Sequence, residues 1–178
     1  MKIHAHIQTR SSTSPLGPML LAASPQGLCG VWFVNQKHYP LDTALQAAQA
    51  PSVAAIAAGS DASQVWLDQA DQQLSHYFAG QRQHFDLPLD LSAGSAFQQS
   101  VWRALLAIGR GQTESYGALA TRVGRPSAAR AVGAAVGRNP ISIIVPCHRV
   151  VGSTGALTGY AGGLDRKVAL LQLEGCLL

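Results

Sequence analysis

Cys147 lies in an apolar run, Ile143-Ile144-Val145-Pro146-Cys147-His148-Arg149-Val150-Val151, with a histidine directly after it and an arginine next. The thiolate is the nucleophilic form of cysteine, and nearby cations or hydrogen-bond donors are what make it accessible. A histidine within reach can take the thiol proton, directly or through water, and a third group can orient that histidine. Which ring nitrogen does so is open at this level. A lone cysteine is most often simply buried. The neighbours Pro146, His148 and Arg149 move this one toward a reactive sulfur. Glu174, the only glutamate after position 114, follows an apolar helical stretch and is a candidate to orient His148. A single carboxylate on a terminal helix is nevertheless usually solvated. Asn139-Pro140 ends a helix, because the residue before proline avoids helical dihedrals. The Asn139 amide could also tie that turn to the segment carrying Cys147. Cys29 is expected in the core, and Cys176 has no assigned role.

These side chains need elements to position them. Ser95-Ala96-Phe97-Gln98 is a capping-box pattern, and Phe97, Val101, Leu105 and Ile108 mark one face of the helix that follows. Tyr116–Val123 reads as a short helix, Gly124-Arg125-Pro126 as a turn, and Ser127 as the cap of a second helix running to about Arg138. Helix, tight turn and helix make a helix-turn-helix candidate. In the second helix Val132 and Val136 point one way, while Ser127, Arg130, Ala134, Gly137 and Arg138 fall on the other. Small residues interleaved with arginines let a backbone approach a nucleic-acid groove; the plainer reading is packing on a neighbouring helix. Gly152–Gly155 and Gly159–Gly163 are glycine-rich loops without the lysine–hydroxyl pair of a phosphate-binding loop. They suit close approach to a ligand, or a long surface turn.

The first half is organised differently. Alternation over residues 3–9 predicts a strand, Ser14–Pro18 a turn, Met19–Ala23 a second strand, Ser24–Gly27 a turn and Leu28–Asn35 a third strand. A small antiparallel meander follows. Leu41–Ala50 reads as a weak helix within a loop. Leu67, Ala70, Leu74, Tyr77 and Phe78 have helical spacing within Ser63–Phe78, with Gly80 a stop. His84–Leu87 is an expected edge strand, and Pro88–Gly94 the linker between residues 1–90 and 91–178.

Charge separates the halves. Residues 1–90 carry four lysines and arginines against six aspartates, a formal −2; residues 91–178 carry nine against three acids, a formal +6. The second half alone is suited to a polyanion. Three cysteines are too few for a disulfide framework and fit a reducing compartment, so a cytoplasmic protein is expected. No apolar run reaches the ~18–20 residues of a membrane helix, and no signal peptide opens the chain.

The order of motifs resembles the O6-alkylguanine-DNA alkyltransferases, the methylated-DNA–protein-cysteine methyltransferases. The resemblance runs through Ser115-Tyr116-Gly117, Ala128–Gly133, Asn139-Pro140, Pro146–Val150, Gly159–Gly163 and Leu173-Glu174-Gly175, with Ser14–Gly17 matching the family's first hairpin. It implies an α+β protein: a small α/β domain with a short antiparallel sheet, then a mainly helical winged helix-turn-helix domain. It implies DNA repair, in which an alkyl group passes from O6-alkylguanine, and also O4-alkylthymine, irreversibly to Cys147 in a single turnover. His148 is the implied base, with Glu174 and Asn139 placing and polarising the site. The substrate and DNA contacts implied are Tyr116, Ser127, Arg130, Ala134, Arg138, Val150, Tyr160 and Ala161. Arg130 fills the space of the extruded base, Tyr116 helps turn the nucleotide, and Tyr160 with its loop donates toward the departing oxygen. The partner is double-stranded DNA holding an alkylated guanine; no membrane partner and no cofactor are expected. A monomer is expected, with clustering on DNA left open. Some relatives bind structural zinc, but His4, His6, Cys29 and His84 lack the spacing, so no metal is expected. Two other classes compete: a sensor that grips alkylated DNA without chemistry, and a transcription factor with a redox cysteine. A sensor replaces the motif cysteine, which is intact here.

Overall fold

The computed structural model describes residues 7–40 and 62–176. The contacts divide them into two compact units, one within Met1–Val34 and Tyr39–Ala93, the other Asn35–His38 with Gly94–Leu178.

In the first unit, β1 (Gln8–Ser14), β2 (Gly17–Ser24) and β3 (Gly27–Phe33) form an antiparallel sheet in chain order. The first strand lies further along than the alternation over residues 3–9 predicts, and residues 3–6 lie outside the described set. The reason is the turn. Ser14 pairs with Gly17, so only Pro15 and Leu16 form the loop. The Ser14 hydroxyl closes it, accepting from the Leu16 amide at 3.2 Å and donating to the Gly17 carbonyl at 2.7 Å. α1 (Ala62–Phe78) packs on the sheet and buries Leu67, Ala70, Leu74 and Tyr77 as its spacing predicts, while Phe78, the last expected position, is only half-buried. A second cluster joins Ile7, Ala22, Cys29 and Trp32. The expected edge strand at His84–Leu87 does not form. Instead Leu89 bridges Leu28 in parallel, through Leu28 N–H to Pro88 O and Asp90 N–H to Leu28 O. Gln73 takes the Asp86 backbone groups that a strand would have used. The expected helix at Leu41–Ala50 lies outside the described residues.

In the second unit, Ser95 opens α2 (Ala96–Leu105) with the full reciprocal capping box to Gln98. β4 (Glu114–Ser115) leads directly into α3 (Tyr116–Arg122), which the Ser115 hydroxyl caps. α4 (Ala129–Gly137) packs on α2 and α3, burying Val132, Ala135 and Val136, and the Trp102 indole of α2 donates to the Ala135 carbonyl at 2.9 Å. Ser127 does not cap α4. The N-cap is Ala128, without a side-chain bond, because the chain leaves α3 through a tight turn in which Ala128 N–H already bonds Arg125 O. A single 3₁₀ turn, Cys147–Arg149, runs into β5 (Val150–Val151), which pairs in parallel with β4. α5 (Leu164–Leu173) closes the unit. No helix among the described residues is long and apolar enough to cross a membrane.

Gly27 marks where β3 meets the Pro88–Asp90 segment. Its φ is +149°, and a Cβ there would stand 2.3 Å from the Pro88 carbonyl oxygen. Backbone cannot yield as a side-chain tip does, so Gly27→Ala is expected to cost about 3 kcal/mol in urea denaturation. A loss under about 1 kcal/mol would contradict this packing.

Candidate active site

The end of α4 and the turn after it build the site. α4 stops at Gly137 with Arg138 as its C-cap, and Asn139 turns inward, 4% exposed. Its amide nitrogen donates to the Val145 carbonyl at 2.8 Å and to Cys147 Sγ at 3.0 Å, with a longer contact to Ile141 O; its amide oxygen accepts from Ile141 N–H at 3.0 Å. One side chain thus holds both ends of the Ile141–Val145 loop and presents a donor to the sulfur. That loop contains Ile143 at φ +73°. A β-branched residue in this region is rare and strained. The loop is kept by Val145 N–H to Ile141 O at 3.0 Å and by the Asn139 bonds.

The two residues that follow Cys147 enter a buried ionic cluster. Arg149 grips Glu174 with two bonds of 2.8 Å and also bonds the Ile108 carbonyl. His148 Nε2 lies 2.9 Å from Glu174 Oε1, and both side chains are fully buried. A carboxylate paired to a guanidinium in this bidentate way only accepts hydrogen bonds. Nε2 therefore carries the ring hydrogen, and Nδ1 keeps the lone pair. Nδ1 is buried and makes no bond to a described protein group. Burial pushes the His148 pKa below 6.5, against the pull of Glu174, so the imidazole is neutral at pH 7.

Burial also pushes the Cys147 thiol up to about 11, partly offset by the Asn139 donor, the Lys167 charge and the amides of Cys147 and His148. The resting sulfur is therefore a thiol. Lys167 is a functional residue that the sequence reading left out. Its fully buried ammonium donates to the carbonyls of Val150 at 2.5 Å and Thr158 at 2.8 Å. Desolvation lowers its pKa to about 8, and the Cys147 charge opposes that shift. Arg149 was noticed only as a neighbour of the sulfur, not as the partner of Glu174. One signal was available for Lys167: it falls three and four positions before Leu170 and Leu171, on the face of α5 that is buried.

A cavity of ≈ 510 Å³ is lined by Tyr116, Ala134, Arg138, Tyr160 and Ala161, five of the expected contacts, together with Lys37, His38 and three glycines. Its volume is that of a small-molecule pocket. Burial mainly raises the Tyr116 phenol's pKa, a hydrogen bond from Thr158 opposes the shift, and the Cys147 charge adds to it. The Tyr116 hydroxyl donates to the Gly159 carbonyl at 3.4 Å. Ser127 and Arg130 are exposed at the start of α4. Val150 does not line the cavity; its side chain is fully buried in β5 and its carbonyl serves Lys167. Cys29 is buried in β3, where desolvation drives its pKa to about 12. Among the described residues no cluster of His, Cys, Asp or Glu could hold a metal ion.

Two experiments test this electrostatic picture. Lys167 is still charged at pH 7, so Lys167→Met takes away an attraction to the thiolate there and should slow carboxamidomethylation of Cys147 at pH 7, read by peptide mass. A rate that stays put or rises would contradict the assignment. For His148 the folded pKa lies below the unfolded 6.5. Its stabilising contribution is then complete above about pH 6.5 and is lost as pH falls through the lowered folded value. Denaturation between pH 7.5 and 5 should show a shallower acid loss in His148→Asn than in the parent protein; equal slopes would remove His148 as the cause.

Comparisons with known proteins place the chain in a family. The family model for the 6-O-methylguanine DNA methyltransferase DNA binding domain matches residues 96–176, and that for the same family's ribonuclease-like domain matches residues 9–91. The methylated-DNA–protein-cysteine methyltransferase of Mycobacterium leprae is 47% identical over 168 residues, covering 94% of this chain and 92% of the relative. That of Methanosarcina acetivorans is 45% identical over 162 residues, covering 91% and 94%. The crystal structure of Mycobacterium tuberculosis OGT in complex with DNA superposes with a TM-score of 0.75 at 44% identity, covering 93% of this chain and 91% of that one. With both halves matched by its models and with relatives this similar over almost their whole length, the chain belongs to the 6-O-methylguanine DNA methyltransferase family.

Proposed function

We propose that this chain repairs double-stranded DNA as a methylated-DNA–protein-cysteine methyltransferase. It moves an alkyl group from O6 of guanine to its own Cys147, once per molecule. The observation that carries the reading is the buried chain Arg149–Glu174–His148, which leaves an imidazole nitrogen without a hydrogen-bond partner on the residue next to Cys147, whose sulfur Asn139 already addresses.

With the thiol near 11, ionising it at pH 7 costs about 5 kcal/mol, so deprotonation belongs to the reaction rather than to the resting state. The proton leaves Sγ for His148 Nδ1, relayed by one water, and the imidazolium is stabilised by Glu174. The Asn139 amide and the Lys167 ammonium hold the thiolate. Sγ attacks the alkyl carbon in line; the S–C bond forms as the C–O6 bond breaks. The electron pair returns to the purine, whose anion takes up a proton equivalent to the one Cys147 lost. Tyr160 and the amides of its loop donate toward that oxygen as charge develops. The product is a thioether, which water does not readily cleave, and the protein is spent.

The base must leave the duplex to reach the sulfur, at a few kcal/mol of stacking and pairing. Arg130 and Ser127 at the start of α4 face the duplex. Arg130 fills the vacated stack, and Tyr116 turns the nucleotide. Ala134 and Arg138 border the pocket on the α4 side and Ala161 on the loop side. O4-alkylthymine is a second substrate of the same pocket. The protein acts as a cytoplasmic monomer.

Incubation with a duplex carrying O6-methylguanine should add about 14 Da to the Cys147 peptide and to no other, one equivalent per molecule. Tight binding with unchanged mass would overturn the reading in favour of a damage sensor. Arg130→Ala should slow transfer from duplex DNA about tenfold or more while free O6-alkylguanine base reacts nearly as before; equal losses on both substrates would remove Arg130 from base extrusion.

A further inference from the structure

Most of the cavity lining is accounted for by the reading above, but Lys37 and His38 are not. They belong to a four-residue strap, Asn35–His38, that packs with the second compact unit. The strap is fastened at two points. The buried Gln36 accepts from the Ser142 hydroxyl at 3.4 Å, and the Lys37 amide donates to the Ala161 carbonyl at 2.9 Å. Asn35 and His38 bracket it with φ of +65° and +62°. Such left-handed residues reverse the chain locally, and the side chains of Lys37 and His38 are left exposed along the cavity.

Arg138, the C-cap of α4, lines the same cavity. Two stretches a hundred residues apart in sequence thus bring a guanidinium, an ammonium and an imidazole to one opening. Burial chiefly, then the charges of Arg138 and Lys37, lower the His38 pKa. No acidic residue is among the cavity's lining. Like charges gathered in this way favour an anion placed among them. The anion that accompanies an extruded nucleotide is its own phosphodiester.

We infer that Lys37 and His38, together with Arg138, clamp a backbone phosphate next to the extruded nucleotide, so that the strap is part of the DNA-binding surface. This rests on the methyltransferase reading, and the two are tested separately. Binding is measured in a Cys147→Ala background, where no transfer can occur. The probes are duplexes with O6-methylguanine in which each of the linkages flanking the lesion is replaced in turn by a neutral methylphosphonate. One or two replacements should weaken binding about tenfold. Lys37→Met should weaken binding to the natural duplex by a similar factor, and the same replacements should then add little, a non-additive cycle. The slope of log affinity against log salt should become shallower by about 1. His38→Gln should give a smaller loss at the same linkages, and Lys37→Arg should restore the linkage sensitivity. Effects that multiply at every linkage, or a Lys37→Met affinity equal to the parent's, would overturn the clamp. Transfer by the protein with Cys147 intact is scored independently, so its absence would defeat the methyltransferase reading without bearing on the phosphate cycle.

Discussion

The carboxylate of Glu174 is the interaction on which the second unit depends. It sits at the C-cap of α5, fully buried, and is shared by His148 and Arg149. Taking such a pair out of water costs several kcal/mol per ion, which is recovered only when geometry and remaining hydrogen bonds are good. Here they are good. Both carboxylate oxygens meet Arg149, one also meets His148, and the guanidinium reaches the Ile108 carbonyl beyond the end of α2. Arg110 adds a bond to the Leu173 carbonyl at 2.7 Å. The cluster ties the end of α2, the Cys147 turn and the end of α5 together, and in doing so chooses the imidazole tautomer.

The sulfur's surroundings follow from the same burial. Desolvation favours the thiol, while one amide, one ammonium and two backbone N–H groups favour the thiolate. The balance lies with the thiol. Asn139 has a double task. It holds a loop containing the left-handed Ile143 and offers a hydrogen to Sγ. Backbone strain there is sustained by contacts on either side, which keeps the turn in one conformation.

Much of the fold was legible because it is written in local chemistry. Ser95 and Gln98 form the capping box that their spacing implies, and α1 buries Leu67, Ala70, Leu74 and Tyr77 of the residues that the 3.6-residue period selects. Glu174 was the weakest member of the expected set, since nothing in sequence distance reveals that a carboxylate 26 positions from His148 is beside it. Its position as the sole glutamate after Glu114 made it a candidate, and the family resemblance gave that candidate its weight. Lys167 was passed over because lysine in a helix usually reaches water; two backbone carbonyls in the interior reverse that expectation. Two-residue strands such as β4 and β5 carry no periodicity, so their pairing was invisible. Ser127 looked like a cap by residue type, but the turn geometry gave that place to Ala128. The role of the strap at Asn35–His38 also depends on tertiary placement. In sequence Asn35 reads as the end of a strand, and residues 36–38 carry no assignment.

The central claim is that the shared Glu174 carboxylate fixes His148 as a neutral imidazole with its hydrogen on Nε2 and its lone pair on Nδ1. Nitrogen-15 NMR of the histidine rings at pH 7 reads this directly. The account predicts one His148 nitrogen with the shift of a protonated, pyrrole-type Nε2 and the other with that of an unprotonated, pyridine-type Nδ1. Two protonated nitrogens, or a hydrogen on Nδ1, would contradict it.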